Sequence, residues 1–206
     1  TTGDGNTASG YQALYSNTEG YNTATGYKSM YSNTTGIQNT ASGYEALSAN
    51  ISGDGNTAMG MYTLRSNTTG ASNTAFGARA LFANLTGTLN TAVGLYALIS
   101  NTTGSFNSAL SQQALYANTT GSNNTAIGGY ALYTNTTASN NTANGFYALR
   151  YNLTGYDNTA SGRSALYTNT TGYYNTASGG NALFSNTTAS YNTAVGYAAL
   201  NDANRT

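Results

Sequence analysis

Apolar and polar residues follow one pattern that repeats every 17 residues along almost the whole chain. Each unit reads N-T-A-x-G-x-x-A-L-x-x-N-T-T-G-x-x, so apolar residues occupy the third, eighth and ninth positions. The ninth position is Leu in every copy except one, which has Met30. Residues 1–206 therefore form a single repeat array, whose twelve copies start at Asn6, Asn22, Asn39, Asn56, Asn73, Asn90, Asn107, Asn124, Asn141, Asn158, Asn175 and Asn192.

The short period predicts an all-β fold. Helical repeats generally need about 33 residues, because each unit is a pair of packed helices. Asn, Thr, Ser, Gly and Tyr are also poor helix formers. Each unit contains two short stretches that we expect to be extended, N-T-A-x-G and the sixth to eleventh positions, and N-T-T-G closes the coil as a turn. The pattern therefore predicts a parallel β-solenoid or β-roll of twelve coils, with one repeat per coil.

Parallel stacking at about 4.8 Å per coil turns each repeat position into a column. We expect the Leu column to lie inside, with an Ala column as a tight inner wall. The Asn columns are expected to form amide ladders that bond to the coils above and below. The predicted ladder residues are Leu14, Leu47, Leu64 and Leu81 in the aliphatic column, and Asn6, Asn22, Asn39 and Asn17 in the amide columns.

Composition removes several classes of function. The chain has 6 acidic and 6 basic residues, so its zero net charge gives no electrostatic reason to bind nucleic acid. Its apolar runs are too short to cross a bilayer, so we expect no membrane insertion. The periodic Leu and the 19 Tyr argue against disorder. Because the chain starts partway through a repeat and without Met, we expect it to be a mature product or an excerpt of a longer array.

Catalytic chemistry has few candidate groups here. The chain lacks His and Cys, and its Gly-rich turns carry no following Lys of the kind that binds phosphate. Calcium-binding β-rolls need a much denser Asp pattern. We therefore predict that the protein is not an enzyme and has no cofactor and no metal site. The carboxylates are spread along the array as Asp4, Glu19, Glu45, Asp54, Asp157 and Asp202.

The segments NTASGYQAL, NTAVGLYAL and NTAIGGYAL resemble the N-S/T-x-A-x-G-x-x-A repeats of trimeric autotransporter adhesin heads, which form a left-handed parallel β-roll. The whole NTAxGxxAL…NTTG unit is also similar to arrays in predicted tail-fibre-domain and surface proteins of bacteria and phages. The resemblance covers essentially the entire chain. The period is longer than in the adhesin heads, so their handedness and trimer geometry do not transfer. The resemblance implies a fibre or adhesin stalk that is extracellular or on a cell or virion surface.

The twelfth position carries a recurring N-x-S/T sequon, which has two interpretations. One is a stripe of N-glycans. The other is that Asn and Thr build the turn and its ladder, because sites about 4.8 Å apart leave little width for adjacent sugars. The candidate glycosylation residues are Asn33, Asn50, Asn67, Asn84, Asn101, Asn118, Asn135, Asn152, Asn169 and Asn186.

Two outward columns suggest binding. Thr recurs at the second position from Thr7 to Thr193, with Ser108 as the exception. A flat Thr array is the recognition surface of solenoid ice-binding proteins, but Thr is also simply a good strand residue. Exposed Tyr could stack on sugars, or could pack against another chain through its large area and polar tip.

One Leu per coil is a thin core, so we expect outward Tyr, Leu and Phe columns to pack against other copies. The predicted function is a structural component of an extracellular fibre or surface filament that self-associates and has an adhesive role. A glycan- or receptor-binding adhesin module is one alternative, and an ice-binding solenoid that uses Thr ladders is another. The predicted partners are further copies of the chain, as a trimer or a laterally or end-to-end packed filament, and surface glycans.

Overall fold

The computed structural model describes residues 3–202, which form one continuous stack of coils. Each coil contributes one strand of three residues, and all twelve strands lie in a single parallel sheet in chain order. The predicted all-β parallel solenoid with one repeat per coil is confirmed, with about 11 turns. The strands are β1 (Thr7–Ser9), β2 (Thr23–Thr25), β3 (Thr40–Ser42), β4 (Thr57–Met59), β5 (Thr74–Phe76), β6 (Thr91–Val93), β7 (Ser108–Leu110), β8 (Thr125–Ile127), β9 (Thr142–Asn144), β10 (Thr159–Ser161), β11 (Thr176–Ser178) and β12 (Thr193–Val195).

The register keeps equivalent residues of neighbouring coils in line. Between β4 and β5, Thr57 pairs with Thr74 and Ala58 pairs with Ala75. Side chains alternate across a strand, so the central Ala points inward while its two neighbours point outward. Ala58 and Ala75 are fully buried, whereas the residues that flank them are partly or largely exposed. Every repeat position therefore forms a column along the stack.

The prediction of a second extended stretch in each unit is wrong, because the sixth to eleventh positions form consecutive turns. In the coil of β5, Arg79 and Leu81 have φ angles of 58° and 52°. The Ala80 amide donates to the Gly77 carbonyl at 3.2 Å, and the Asn84 amide donates to the Leu81 carbonyl at 3.2 Å. Ala80 and Leu81 are adjacent and both fully buried. In an extended strand, one of these two side chains would point outward. The positive φ angles of Arg79 and Leu81 turn the backbone so that both Ala80 and Leu81 point inward.

The turn segment still bonds to the neighbouring coils along the stack axis. The Leu81 amide donates to the Ala97 carbonyl of the next coil at 3.0 Å, while the Arg79 amide donates to the Met61 carbonyl of the previous coil at 3.0 Å. Bonds in both directions satisfy backbone groups that a buried turn would otherwise leave unpaired. The hydrogen-bonded ladder therefore extends well beyond the three-residue strands.

The aliphatic core is a single column with Ala on either side. The predicted residues Leu14, Leu47, Leu64 and Leu81 are all buried, and the column continues through Leu183. Leu200 in the coil of β12 is instead 55% exposed. Ala8 in β1 is likewise exposed, unlike its equivalents in the interior coils.

The fifth position of the unit, at the corner that follows the strand, strongly favours glycine. Gly60 has a φ of 128°, and a Cβ there would lie 2.9 Å from the Gly77 backbone carbon. The coil of β7 has Ser111 at this position, with a φ of 137°. Its amide donates to the Val93 carbonyl at 2.8 Å, so the coil keeps its path despite the strain.

We expect Ser111→Gly to raise the free energy of unfolding by about 1 kcal/mol, because glycine reaches this φ without the strain of a side chain. The measurement is the urea midpoint followed by circular dichroism. Ser178→Gly is the matched control. It makes the same change on an exposed strand position in β11, where added backbone freedom should lower stability by about 0.5–1 kcal/mol. Destabilisation by Ser111→Gly would contradict the strain.

Candidate functional site

The asparagines at the twelfth position form a continuous amide ladder inside the stack. The Asn101 Nδ2 donates to the Asn84 Oδ1 at 2.8 Å and to the Gly104 carbonyl at 2.9 Å. The Asn101 Oδ1 accepts from the Asn118 Nδ2 at 2.9 Å. Each of these asparagine side chains is fully buried. The amide is thus held by the coil below, the coil above and its own turn.

A second ladder runs through the asparagines at the first position. The Asn90 amide nitrogen of the backbone donates to the Asn73 Oδ1 at 3.0 Å. The Asn90 Nδ2 donates to the Gly104 carbonyl at 2.9 Å. That carbonyl also accepts from Asn101, so the two ladders meet at the N-T-T-G turn. The turn is fixed by side-chain amides as well as by its own backbone.

The predicted ladder asparagines lie in these two columns. The Asn6 Oδ1 accepts from the Asn22 backbone amide at 2.9 Å, and the Asn22 Oδ1 accepts from the Asn39 backbone amide at 3.0 Å. In the other column, the Asn17 Oδ1 accepts from the Asn33 Nδ2 at 2.6 Å. Asn17, Asn22 and Asn39 are buried, while Asn6 is partly exposed.

A glycan stripe on the twelfth position is incompatible with this structure. A glycan would be bonded to Nδ2, which donates here to the preceding asparagine and to the turn carbonyl. The neighbouring coils leave no space for a sugar at a fully buried amide. The prediction of a glycan stripe is therefore wrong for the folded protein at all ten candidate asparagines. These are Asn33, Asn50, Asn67, Asn84, Asn101, Asn118, Asn135, Asn152, Asn169 and Asn186, each 0% exposed.

Within residues 3–202, two further sequons lie on the surface, and the sequence reasoning above missed them. Asn123 and Asn140 occupy the seventeenth position, are exposed and have φ angles of 58° and 62°. Each is followed by the N-T that starts the next unit, which completes an N-N-T sequon. The signal was present in the sequence, but it crosses the boundary between two units. An exposed turn is the usual setting of an N-glycan.

Secretion of the protein from a host that attaches N-glycans tests which asparagines are accessible. Within residues 3–202, we expect the folded fraction to carry glycans only at Asn123 or Asn140, because a glycan on an inner asparagine would prevent coil stacking. Site mapping by mass spectrometry after protease digestion checks this. Asn123→Gln combined with Asn140→Gln should leave the described part of the folded protein unmodified. A glycan mapped to Asn101 in folded protein would contradict the buried ladder.

Replacing one ladder amide tests what the ladder contributes. Asn101→Ala leaves the Asn84 Oδ1 without its donor and the Asn118 Nδ2 without one acceptor. We expect a loss of about 2–4 kcal/mol in unfolding free energy, because two buried polar groups lose partners. Thr103→Ala, on an exposed position of the same turn, should change it by no more than about 0.5 kcal/mol. Equal midpoints for the two variants in urea denaturation would contradict this account.

The outer face of the sheet carries an apolar strip at the fourth position of five consecutive coils. Ser42 precedes the strip and Asn144 follows it at the same repeat position. Each apolar residue in it is 37–40% exposed. The strip consists of Met59, Phe76, Val93, Leu110 and Ile127.

The Thr column runs beside this strip on the same face. Thr or Ser at the second position is partly or largely exposed in every strand. A two-column Thr face would also need Thr at the fourth position, where only Thr25 supplies it. In the middle of the sheet the second column is apolar instead. The outer face therefore differs from a regular two-column Thr array.

Aromatic rings form stacked columns elsewhere on the coils. Tyr27 stacks on Tyr11 and on Tyr44, with ring centroids 5.4 and 4.9 Å apart. Tyr156 and Tyr173 stack at 5.0 Å with an interplanar angle of 3°. Rings that face each other cover the surfaces that a sugar would need. Such columns offer mainly ring edges and hydroxyl groups to a partner, which suits packing better than sugar stacking.

Charged groups gather beside some of these rings. The Arg65 Nε lies 2.6 Å from the Glu45 Oε2 in a shallow cleft of about 340 Å³ that Lys28 also lines. A hydrogen bond with Tyr27 raises the pKa of the Lys28 ammonium above 10.5. Partial burial raises the pKa of the Tyr44 hydroxyl above 10.0. Lys28 is therefore charged and Tyr44 neutral at physiological pH.

The fold and its columns define a tandem-repeat β-solenoid protein. No family model matches the chain, and neither a curated protein nor a solved structure shows significant similarity to it. Residues 3–202 contain no helix that is long and apolar enough to cross a membrane. The same residues contain no group of three or more acidic side chains close enough to hold a metal ion.

Proposed function

We propose that this protein is a structural component of an extracellular fibre or surface filament, in which copies of the rod associate side by side. The observation that carries the proposal is the apolar strip on the outer face of β4–β8. Apolar residues exposed in one continuous strip are typical of a surface that contacts a partner.

The apolar side chains of the strip are not needed for the coil itself. Ser42 and Ser161 occupy the same repeat position in β3 and β10, and their coils keep the same register. Phe76 and Ile127 nevertheless leave about two fifths of their surface exposed, at 39% and 40%. Because the fold accepts Ser at this position, the apolar residues are best explained by a contact outside the coil.

The geometry of the strip suits a second rod. Five coils at about 4.8 Å per coil make a strip roughly 20 Å long that runs parallel to the rod axis. Burying it against another rod would gain about 25 cal/mol for each Å² of apolar surface removed from water. The rod itself is rigid, because buried amide ladders and axial backbone bonds fix successive coils. A rigid rod with an adhesive side is suited to a filament.

The proposed location outside the cell rests on the resemblance to surface fibres. The surface is poor in charge and rich in Thr, Asn, Ser and Tyr. Two alternatives make different predictions for the isolated protein. A glycan-binding adhesin would bind sugars as a monomer, and an ice-binding solenoid would inhibit ice recrystallisation as a monomer. The proposed structural role requires self-association and neither of these activities.

Polar substitutions in the strip should weaken this association. Phe76→Ser combined with Ile127→Ser removes two apolar side chains and introduces the residue found at the same position in other coils. We expect about a tenfold or greater increase in the dissociation constant, since each side chain contributes on the order of 1 kcal/mol or more at an interface. Sedimentation velocity over a concentration series measures it.

The matched control is Leu85→Thr, which removes an exposed apolar residue on another segment and introduces the Thr found in most other units. It should associate as the parent chain does. Circular dichroism should show all variants folded. A parent chain that stays monomeric at high concentration would refute the structural role. Ice-recrystallisation inhibition or glycan binding by that monomer would then favour one of the alternatives.

A further inference from the structure

Charged side chains are separated into two edges of the coil. The five basic residues within residues 3–202 all lie between the sixth and tenth positions. Four of the six acidic residues lie between the fourteenth and seventeenth positions, and Glu45 and Asp202 are the exceptions. We define the basic edge as Lys28, Arg65, Arg79, Arg150 and Arg163, and the acidic edge as Asp4, Glu19, Asp54 and Asp157.

Aromatic rings accompany both edges. On the basic edge, the Arg150 guanidinium lies 4.4 Å from the centroid of the Tyr147 ring. On the acidic edge, Tyr173 and Tyr191 contact each other edge to face at 5.4 Å. Both edges thus combine aromatic rings with charged groups, and the charges are of opposite sign. Complementary charge on two surfaces favours their pairing and selects one relative position.

The spacing of the charges along the axis selects that position. We number each coil by its strand, so coil 4 contains β4. Three basic residues lie one coil further along than three acidic residues. The pairs are Lys28 in coil 2 with Glu19 in coil 1, Arg65 in coil 4 with Asp54 in coil 3, and Arg163 in coil 10 with Asp157 in coil 9.

We infer that the basic edge of one copy docks on the acidic edge of a second copy, parallel to it and staggered by one coil. This inference rests on the proposed self-association and adds a second contact surface, separate from the apolar strip, and its register. The stagger leaves almost the whole length of the two rods in contact. It also places Glu45, the acidic residue of the basic edge, opposite coil 2, which has no acidic residue on its acidic edge.

Other registers match fewer charges or less length. A two-coil stagger brings together only two pairs. They are Lys28 with Asp4, which lies in the turn before coil 1, and Arg79 with Asp54. An antiparallel arrangement also yields three pairs, but the rods then overlap over only about half of their length. Its pairs are Lys28 with Asp54, Arg65 with Glu19 and Arg79 with Asp4. Arg79 therefore distinguishes the two arrangements, because it has an acidic partner only in the second.

The groups needed for the parallel contact are accessible. Arg163, Glu19 and Asp54 are exposed, and Asp157 is half-buried. Arg65 already bonds to Glu45, and its guanidinium retains other N–H groups that can reach a second carboxylate. The contact joins two different edges, so a row of docked copies keeps one free basic edge at one end and one free acidic edge at the other. A heterologous contact of this type extends into an open array unless the rotation closes a ring.

Charge reversal at one proposed pair tests the register. At low ionic strength, we expect Arg163→Glu to weaken self-association about tenfold, because it places a negative charge against Asp157 of the second copy. Combining it with Asp157→Lys should restore association, because the pair is then reversed. Lys at this turn is compatible with the fold, since Lys28 adopts a similar φ of 51°. Sedimentation velocity measures all three chains, and circular dichroism confirms folding.

The matched control is Arg79→Glu, which makes the same charge change on the same edge without an acidic partner in the parallel register. Little change in this variant, together with loss and rescue at Arg163, supports the inference. Weakening by Arg79→Glu but not by Arg163→Glu overturns it in favour of the antiparallel arrangement. If the parent chain associates equally at low and high salt, and neither Arg163→Glu nor Arg79→Glu weakens association, the contact between charged edges is refuted. The proposed self-association would then stand. A parent chain that never associates refutes the proposed function as well.

Discussion

The stack depends on hydrogen bonds that run along its axis from one coil to the next. A three-residue strand supplies too few backbone bonds to hold a coil, so the turns must also be bonded. The buried asparagines do this, because one amide donates to the coil below while accepting from the coil above. A buried amide is costly unless it is satisfied, and here identical side chains satisfy one another. A smaller or a modified residue at the twelfth position therefore leaves buried amide groups of the neighbouring coils without partners.

Much of this architecture could be predicted from the sequence, because the repeat exposes its columns directly. A constant period fixes the register, and the columns of Asn, Ala and Leu follow from it. The turn segment could not be predicted from propensities. Leu81 has a φ of 52°, which a branched residue rarely adopts, and tertiary packing imposes it. The adjacent apolar pair Ala80-Leu81 indicates a turn, because an extended strand with one buried face cannot bury two consecutive residues.

The sequon shows how a sequence motif and its structural setting can point in opposite directions. N-T-T recurs because the turn needs a buried amide at its first residue, and the match to a glycosylation signal is a by-product. Asn123 and Asn140 match the same signal at exposed positions, yet they are less conspicuous because they do not recur in every unit. Recurrence therefore marks residues that build the coil. Candidate interaction residues are found among the positions that vary.

Variation matters for a rod made of equivalent coils, because such a rod has no natural lateral register. Sliding one copy along another by one coil, about 4.8 Å, would exchange nearly identical surfaces and cost little. Only residues that differ between coils can make one position better than the next. The apolar strip occupies five coils of the sheet, and the sparse charges occupy particular coils on each edge. In a chain where 6% of residues are charged, a few unequal positions are enough to define how two rods meet.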